Sequence, residues 1–234
     1  MDFTDRVVAI TGAAGALGRV VAQAFAARGA QLVLVDQRRE ALTDVFGAAA
    51  AGRLLAPTDL LDAAEVERTV REATARFGRL DVLCNVAGGF RMGDPVHATD
   101  DATWRFLFDV NVTTLVHAVR AVVPVMLQGG GGRIVNVGAF GAQRGAAGMG
   151  AYTAAKSAVQ RLTEAMAAEL REQGINVNCV LPSIIDTPAN RAAMPDADPR
   201  RWVAPEDLAA AIVFLASPAA RAIHGAALPV TGLV

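Results

Sequence analysis

Val7-Val8-Ala9-Ile10-Thr11-Gly12-Ala13-Ala14-Gly15-Ala16-Leu17-Gly18 is the stretch on which the fold turns. Its first four residues are a continuous apolar run, the pattern of a strand covered on both faces. The glycines that follow permit a tight turn and let backbone N–H groups at a helix N-terminus approach a pyrophosphate. An ordinary strand-to-helix turn would also use glycine, so context decides. A strand precedes, a helical pattern follows, and Asp36 ends the next apolar run eighteen residues beyond Gly18. A carboxylate there accepts hydrogen bonds from ribose hydroxyls and repels a 2′-phosphate, which favours NAD(H). Ala13, Ala14 and Ala16 offer no cation to such a phosphate, while the nearby Arg38 and Arg39 keep NADP(H) open.

Working outward, short apolar runs alternate with helical patterns along the whole chain. Val7–Ile10, Leu32–Val35, Leu54-Leu55, Val82–Cys84, Ile134–Val137, Ile175–Val180 and a last run near Ala226–Val230 read as strands. Helices fit between them, which gives an α/β architecture: a doubly wound parallel sheet of about seven strands with helices on both faces. No linker or charge run divides residues 1–234, so one domain is expected. The stretch from Asp101 to Gln128 carries more apolar surface (Trp104, Phe106, Phe108, Val116, Val119, Val123 among others) than one core-facing stripe needs. A second cover is implied, and a homodimer or homotetramer interface is the expected one.

Formal net charge is −1 and the sequence pI about 6.3, which gives no positive field for nucleic acid or an anionic membrane. Met1-Asp2-Phe3-Thr4-Asp5-Arg6 lacks a basic leader region, and no later apolar stretch is expected to span a membrane, so a cytoplasmic location is expected. Cys84 and Cys179 fall in separate expected strands, and His97, His117 and His224 are scattered, so neither a disulfide nor a metal site is expected.

Tyr152 and Lys156 stand four residues apart near the start of a helical stretch and therefore share one face. Bringing a phenol from a pKa of ~10 to near 7 takes about 4 kcal/mol. One cation ~4 Å away at an effective dielectric of ~20 supplies about that much. The pair has the chemistry of a proton donor acting on a small-molecule substrate.

Taken together, these elements resemble the short-chain dehydrogenase/reductase family over essentially the whole length. Thr11 to Gly18 matches its T-G-x-x-x-G-x-G loop, with Gly12, Ala14, Gly15, Ala16, Leu17 and Gly18 as the implied contacts. Asp59 matches the acid that contacts adenine, with Leu60 beside it, and Asn85-Val86-Ala87-Gly88 matches N-N-A-G with valine in second place. Asn111 matches the asparagine of the catalytic tetrad, and Tyr152-Thr153-Ala154-Ala155-Lys156 is the Y-x-x-x-K signature. Pro182 and Thr187, with Ile184 and Ile185 between them, match the P-G-x-x-x-T segment that passes the nicotinamide, with Ser183 replacing glycine. Singly, Asn85 and Asn111 could satisfy backbone groups, Asp59 could cap a helix and Thr187 could belong to a turn; the resemblance rests on their order. It implies a Rossmann-type fold, NAD(P)-dependent oxidoreduction, Tyr152 as acid/base, Lys156 on the nicotinamide ribose and Asn111 holding a proton-relay water.

Ala139, thirteen residues before Tyr152, stands where ordinary members carry a serine that donates to the substrate oxygen. Losing such a donor typically costs ~10²–10³ in rate. The only serines are Ser157, Ser183 and Ser217. Of these Ser157 should point elsewhere on its helix, and Ser183 is a candidate substitute. The dihydropteridine reductases of the same family likewise lack the serine, and they are locally similar around Leu83–Gly89, Gly148–Tyr152 and Asp186–Asp198. That likeness implies reduction of a quinonoid or otherwise delocalised acceptor. The alternatives are an ordinary ketone or alcohol dehydrogenase of low efficiency, and a catalytically silent cofactor-binding or assembly subunit; retention of Tyr152, Lys156 and Asn111 together stands against the last. The segment from Asn190 to Trp202 should fold over the acceptor, because loops at the carboxyl ends of parallel strands line the binding crevice. Arg191, Met194 and Trp202, with Phe90 and Arg91 opposite and Ala139 between, are the expected substrate contacts.

Overall fold

The computed structural model covers residues 1–234, and each of the seven expected runs becomes a strand. These are β1 (Val7–Thr11), β2 (Gln31–Asp36), β3 (Arg53–Pro57), β4 (Val82–Asn85), β5 (Gly132–Val137), β6 (Ile175–Pro182) and β7 (Ala227–Val230). They form one sheet in the order β3-β2-β1-β4-β5-β6-β7, parallel throughout. Alternation of side chains explains why the runs are apolar without a break. Val8 and Ile10 of β1 face one core with Val21 and Phe25, whereas Val7 and Ala9 face another with Val70 and Val122. Helices α1 (Ala16–Ala26) and α8 (Pro205–Ala216) supply the first core. Helices α3 (Ala63–Phe77), α5 (Thr114–Gln128) and α6 (Gly150–Leu170) supply the second. The short α2 (Arg39–Phe46) buries Leu42 against the first core.

The long apolar stretch departs from expectation in two ways. It is not a single α-helix: α4 (Asp101–Phe108) and α5 are joined by a π turn over Asp109–Thr113. Taken as one helix of 28 residues, it is also long and apolar enough to cross a membrane, contrary to the expectation that no such stretch exists. Composition alone cannot separate a span from a helix with two apolar faces. Here Leu107, Leu115, Ala118, Val122 and Met126 are buried in the domain; Trp104, Phe108, Val112 and Val119 are half-buried and pack in part on its core clusters, and Val116 is half-buried outside them.

Because β1 is paired to β2 on one edge and β4 on the other, the chains leaving β1 and β4 part at their carboxyl ends and open a crevice. Thr11 ties its floor: Oγ1 accepts from the Val86 amide at 3.0 Å and the Ala87 amide at 3.1 Å. At the opposite end of the sheet Asp81 accepts from the Val7 amide (2.9 Å), Arg6 (2.9 Å) and both sides of the Arg79 fork (2.8 and 2.6 Å). Burial pushes the Asp81 carboxyl up, but Arg79, the Val7 amide and Arg6 outweigh it and hold the group below the usual carboxylate range. A carboxyl lowered in this way stabilises the fold above its unfolded pKa of ~4 and loses that contribution as pH falls through the lower folded value. Asp81→Asn is expected to cost about 1–3 kcal/mol at neutral pH, with the gap to wild type closing below pH ~4. Urea melts at pH 7 and pH 3.5 measure it; an equal gap at both would show that the charge is not the source.

Candidate active site

The first wall of the crevice is the glycine turn. Gly12 has φ +63°, and a Cβ there would lie 2.9 Å from the Ala87 Cα, so the turn requires glycine on both counts. Gly18 is pressed against the Gly12 carbonyl, which leaves no room for a side chain between the turn and α1. No side chain caps α1, so its first-turn N–H groups remain available to an anion. Asp36 closes the other side of the turn, accepting from the Ala14 amide at 3.0 Å and the Gln37 amide at 2.9 Å. Between them lies a cleft of about 570 Å³ bordered by Gly15, Asp36, Asp59, Leu60, Gly88 and Phe106. Bare backbone at the helix start and a carboxylate fixed across from it suit the pyrophosphate and ribose of a dinucleotide. Asp59 does not cap α3; Asp62 does, accepting from the Ala64 and Glu65 amides, which leaves Asp59 on the cleft wall.

Tyr152 lies in the first turn of α6, half-buried, with the Phe90 ring edge-on to it at 4.8 Å and 84°. One turn on, Lys156 is buried, and its Nζ donates to the Val137 carbonyl at 2.8 Å. Asn111 sits in the π turn, where its amide donates to the Leu107 carbonyl (2.9 Å) and the Gly89 carbonyl (3.0 Å) and accepts from the Gly89 N–H (3.2 Å). It thus satisfies the groups that the widened turn frees and clamps the loop after β4. A Cβ on Gly88 would come within 2.8 Å of Asn111 Oδ1 and 3.2 Å of Lys156 Nζ, so both polar groups converge on one bare backbone position. Asn111 and Lys156 thus meet at Gly88, and Tyr152 stands one turn before Lys156 on α6.

The electrostatics of this group differ from the expectation. Burial pushes the Tyr152 phenol up to about 12, and burial pushes the Lys156 ammonium down to about 8, with the buried Cys179 thiol on β6 opposing that fall. Desolvation is the cause of the Tyr152 shift, while Lys156, itself desolvated, donates to the Val137 carbonyl.

Ala139 is buried beside this group in extended backbone and presents only a methyl. No serine replaces it: Ser157 donates to Ala142 O (2.7 Å), Ser183 to Thr231 O (2.7 Å) and Ser217 to Phe214 O (2.7 Å). The expectation that Ser183 could substitute is therefore corrected; its hydroxyl is spent on the C-terminal strand's continuation. Pro182 ends β6, and Ile184 and Ile185 are stitched to Val203, by a 2.9 Å hydrogen bond and a parallel bridge respectively. Thr187 caps the short α7 (Pro188–Ala193), accepting from the Asn190 amide at 3.2 Å, which is the local role that its sequence context also allowed. In the segment beyond, Arg191 is held by Asp186 at 2.6 and 2.7 Å, and Trp202 is buried. Both act to fasten that segment, so they are removed from the substrate contacts; Met194 stays half-buried. Asn85 is buried beneath the site and donates to Asn136 Oδ1 at 2.9 Å. Sequence reasoning missed Phe106, Val110 and Thr114, which line the cleft, and the Val137 carbonyl. The surplus of apolar residues in 101–128 was the signal for the first two.

Comparison with known proteins places this geometry. Residues 12–232 match a family model described as enoyl-(acyl carrier protein) reductase. The chain is 37% identical to the cis-4-hydroxycyclohexanecarboxylate dehydrogenase of Sinomonas cyclohexanicum, covering 98% of this chain and 96% of that one. Among solved structures it resembles a short-chain type dehydrogenase/reductase from Mycobacterium ulcerans (TM-score 0.92, 29% identity, 100% of this chain and 90% of that one). It also resembles carveol dehydrogenase from Mycobacterium avium in complex with NAD (TM-score 0.87, 29% identity, 98% and 97%).

Tyr152 is the only tyrosine in the chain, so phenolate absorbance near 295 nm reports it alone. In the folded protein without coenzyme, ionisation is expected above pH 11, against ~10 after unfolding. Phenolate appearing near pH 8 would overturn the electrostatic picture given above.

Proposed function

The chain belongs to the short-chain dehydrogenase/reductase family of NAD(P)-dependent oxidoreductases, and from that premise we propose an NAD(H)-linked reductase in which Tyr152 is the sole proton donor to the acceptor. Gly12, Ala14, Gly15, Ala16, Leu17 and Gly18 would hold the pyrophosphate at the start of α1, Asp36 the adenosine ribose, and Asp59 and Leu60 the adenine edge. Asn85, Ala87, Gly88, Pro182, Ile184, Ile185 and Thr187 would line the way to the nicotinamide, whose ribose Lys156 would meet. The bound coenzyme supplies or takes up a hydride; the rest of the chemistry belongs to the chain.

Tyr152 would serve as the acid in reduction and as the base in the reverse direction. Asn111 keeps the loop after β4 clamped beside Lys156, and Ala139 and Phe90 shape the space next to the Tyr152 hydroxyl. The observation that carries the acceptor class is Ala139 with every serine committed elsewhere. An acceptor whose developing charge spreads over a conjugated or quinonoid system needs one proton and no second donor. The likeness to dihydropteridine reductases supports this class but rests on the sequence alone, and the pterin itself is not part of the proposal. A second reading, a slow ketone or secondary-alcohol dehydrogenase, is favoured by the relative that acts on a hydroxycyclohexane ring.

Ala139→Ser separates the two. NADH oxidation should be unchanged or slower with quinones and quinonoid dihydropterin if the site was built without the hydroxyl, whereas a damaged ketone reductase should gain one to two orders of magnitude on ketones. Tyr152→Phe should abolish turnover in both cases and leave NADH affinity nearly intact; coenzyme binding without turnover of any acceptor by wild type would mark a silent subunit.

The half-buried outer face of α4 and α5 is proposed to meet a second copy of the chain, giving a homodimer or homotetramer. Val116→Asp should shift the mass seen by light scattering at micromolar concentration toward the monomer. A monomeric wild type would refute the interface.

A further inference from the structure

The large apolar side chains that stay exposed are not scattered. Of the nine, three are chain ends (Met1, Leu233, Val234), whereas Phe90, Met92, Val96 and Phe140 belong to segments that adjoin Tyr152. Phe90 lies edge-on against the tyrosine ring, Val96 packs at Gly150 where α6 begins, and Phe140 follows Ala139. The loop that carries the first three is pinned in place, its Gly93 amide donating to the Gly148 carbonyl at 2.9 Å. An apolar wall maintained at this cost beside a proton donor is a surface for the body of a substrate.

One cation stands in that wall. Arg91 lies with its guanidinium carbon 3.9 Å above the Phe106 ring. Arg6, Arg68, Arg71, Arg79, Arg161, Arg191 and Arg200 form ion pairs, whereas Arg91, like several other surface arginines, forms none; what sets Arg91 apart is its place on the Phe106 ring next to Phe90. The neighbouring Asp100 caps α4 through the Thr103 amide at 2.6 Å, and the Thr103 bond and the Arg91 charge together hold its carboxyl below the usual range without an ion pair forming. Stacking uses the face of the guanidinium and leaves its edge, where the N–H donors lie, directed away from the ring. A guanidinium carried on an aromatic ring, with no hydrogen bond to the protein, has its N–H donors available to bind a carboxylate through two parallel hydrogen bonds.

We infer that Arg91 is a specificity-determining residue for acceptors that join a compact apolar body to a carboxylate or like anion, the body packing on Phe90 and the anion on the free guanidinium edge. The inference rests on the reductase reading for the identity of the reacting end, but the anion subsite is a property of Arg91, Phe90 and Phe106 alone.

The test uses the protein saturated with NADH and compares wild type, Arg91→Met and Arg91→Lys. Calorimetric binding of cyclohexanecarboxylate and of its uncharged carboxamide is read first. Wild type should prefer the acid, Arg91→Met should weaken it about 10- to 100-fold and abolish the preference, and Arg91→Lys, which keeps charge but not the fork, should fall between. Turnover is read second, with 4-oxocyclohexanecarboxylate against its methyl ester and with 1,4-naphthoquinone-2-sulfonate against 1,4-naphthoquinone. For whichever pair reacts, Arg91→Met should lower kcat/KM for the anion relative to its neutral partner by a similar factor. Absence of an acid preference in wild type overturns the inference whatever the turnover. An intact acid preference with no turnover on any acceptor instead overturns the reductase reading and leaves the subsite standing. If Arg91→Met weakens NADH binding itself by a similar factor, the anion at Arg91 is a coenzyme phosphate, and the substrate assignment fails.

Discussion

The site exists because β1 is hydrogen-bonded on both edges while the chain leaves it and β4 in diverging directions. Parallel pairing on both edges demands that the strand be buried on both faces, hence Val7 to Ile10 without a polar residue. It also demands that the turn beyond be tight, hence glycine at 12 with positive φ and no tolerance for a side chain against Ala87. The opening between the two exits is then lined by backbone, which is what a bulky anionic ligand at a helix start requires. Thr11 makes the coupling explicit, since its hydroxyl on β1 accepts two amides of the segment after β4.

Burial governs the chemistry as firmly as it governs the fold. Packing Lys156 behind the sheet edge removes it from water, and the Val137 carbonyl is the acceptor that makes that burial tolerable. The same packing encloses Tyr152, so acid and cation are both driven toward their neutral forms. A Coulomb argument from sequence spacing counts only the attraction between a cation and a phenolate. It omits the cost of desolvating each, and here that cost is the larger effect.

Much of this was legible in the residues. Continuous apolar runs gave seven strands because a doubly covered strand has no polar face to hide, and the Tyr152 and Lys156 spacing put both groups on one turn of α6. What was not legible followed from long-range partners. Whether Arg191 reaches into the site or onto Asp186, whether Ser183 faces the crevice or the Thr231 carbonyl, and whether Asp59 or Asp62 caps α3 are all choices between geometries that local sequence permits equally. The π turn at Asn111 is of the same kind: nothing in Asp109-Val110-Asn111-Val112-Thr113 breaks an α-helix, and the widening pays off only through the Gly89 backbone to which Asn111 bonds.

Ala139 acquires its meaning from these partners. A missing serine is ambiguous while another serine could take its place, and Ser157, Ser183 and Ser217 each donate to a backbone carbonyl instead. The donor that remains is a phenol whose proton is retained by burial, on a wall of exposed apolar side chains with a single unpaired guanidinium. A carbonyl oxygen that must carry a full negative charge would meet Tyr152 there without a second hydroxyl from position 139. In the proposed reading, conjugation within the acceptor would disperse that charge before the proton arrives, and an anion on the acceptor would give the chain a fixed point from which to orient it. On that reading these features would act together: orientation from Arg91, shape from Phe90, and a single proton from Tyr152.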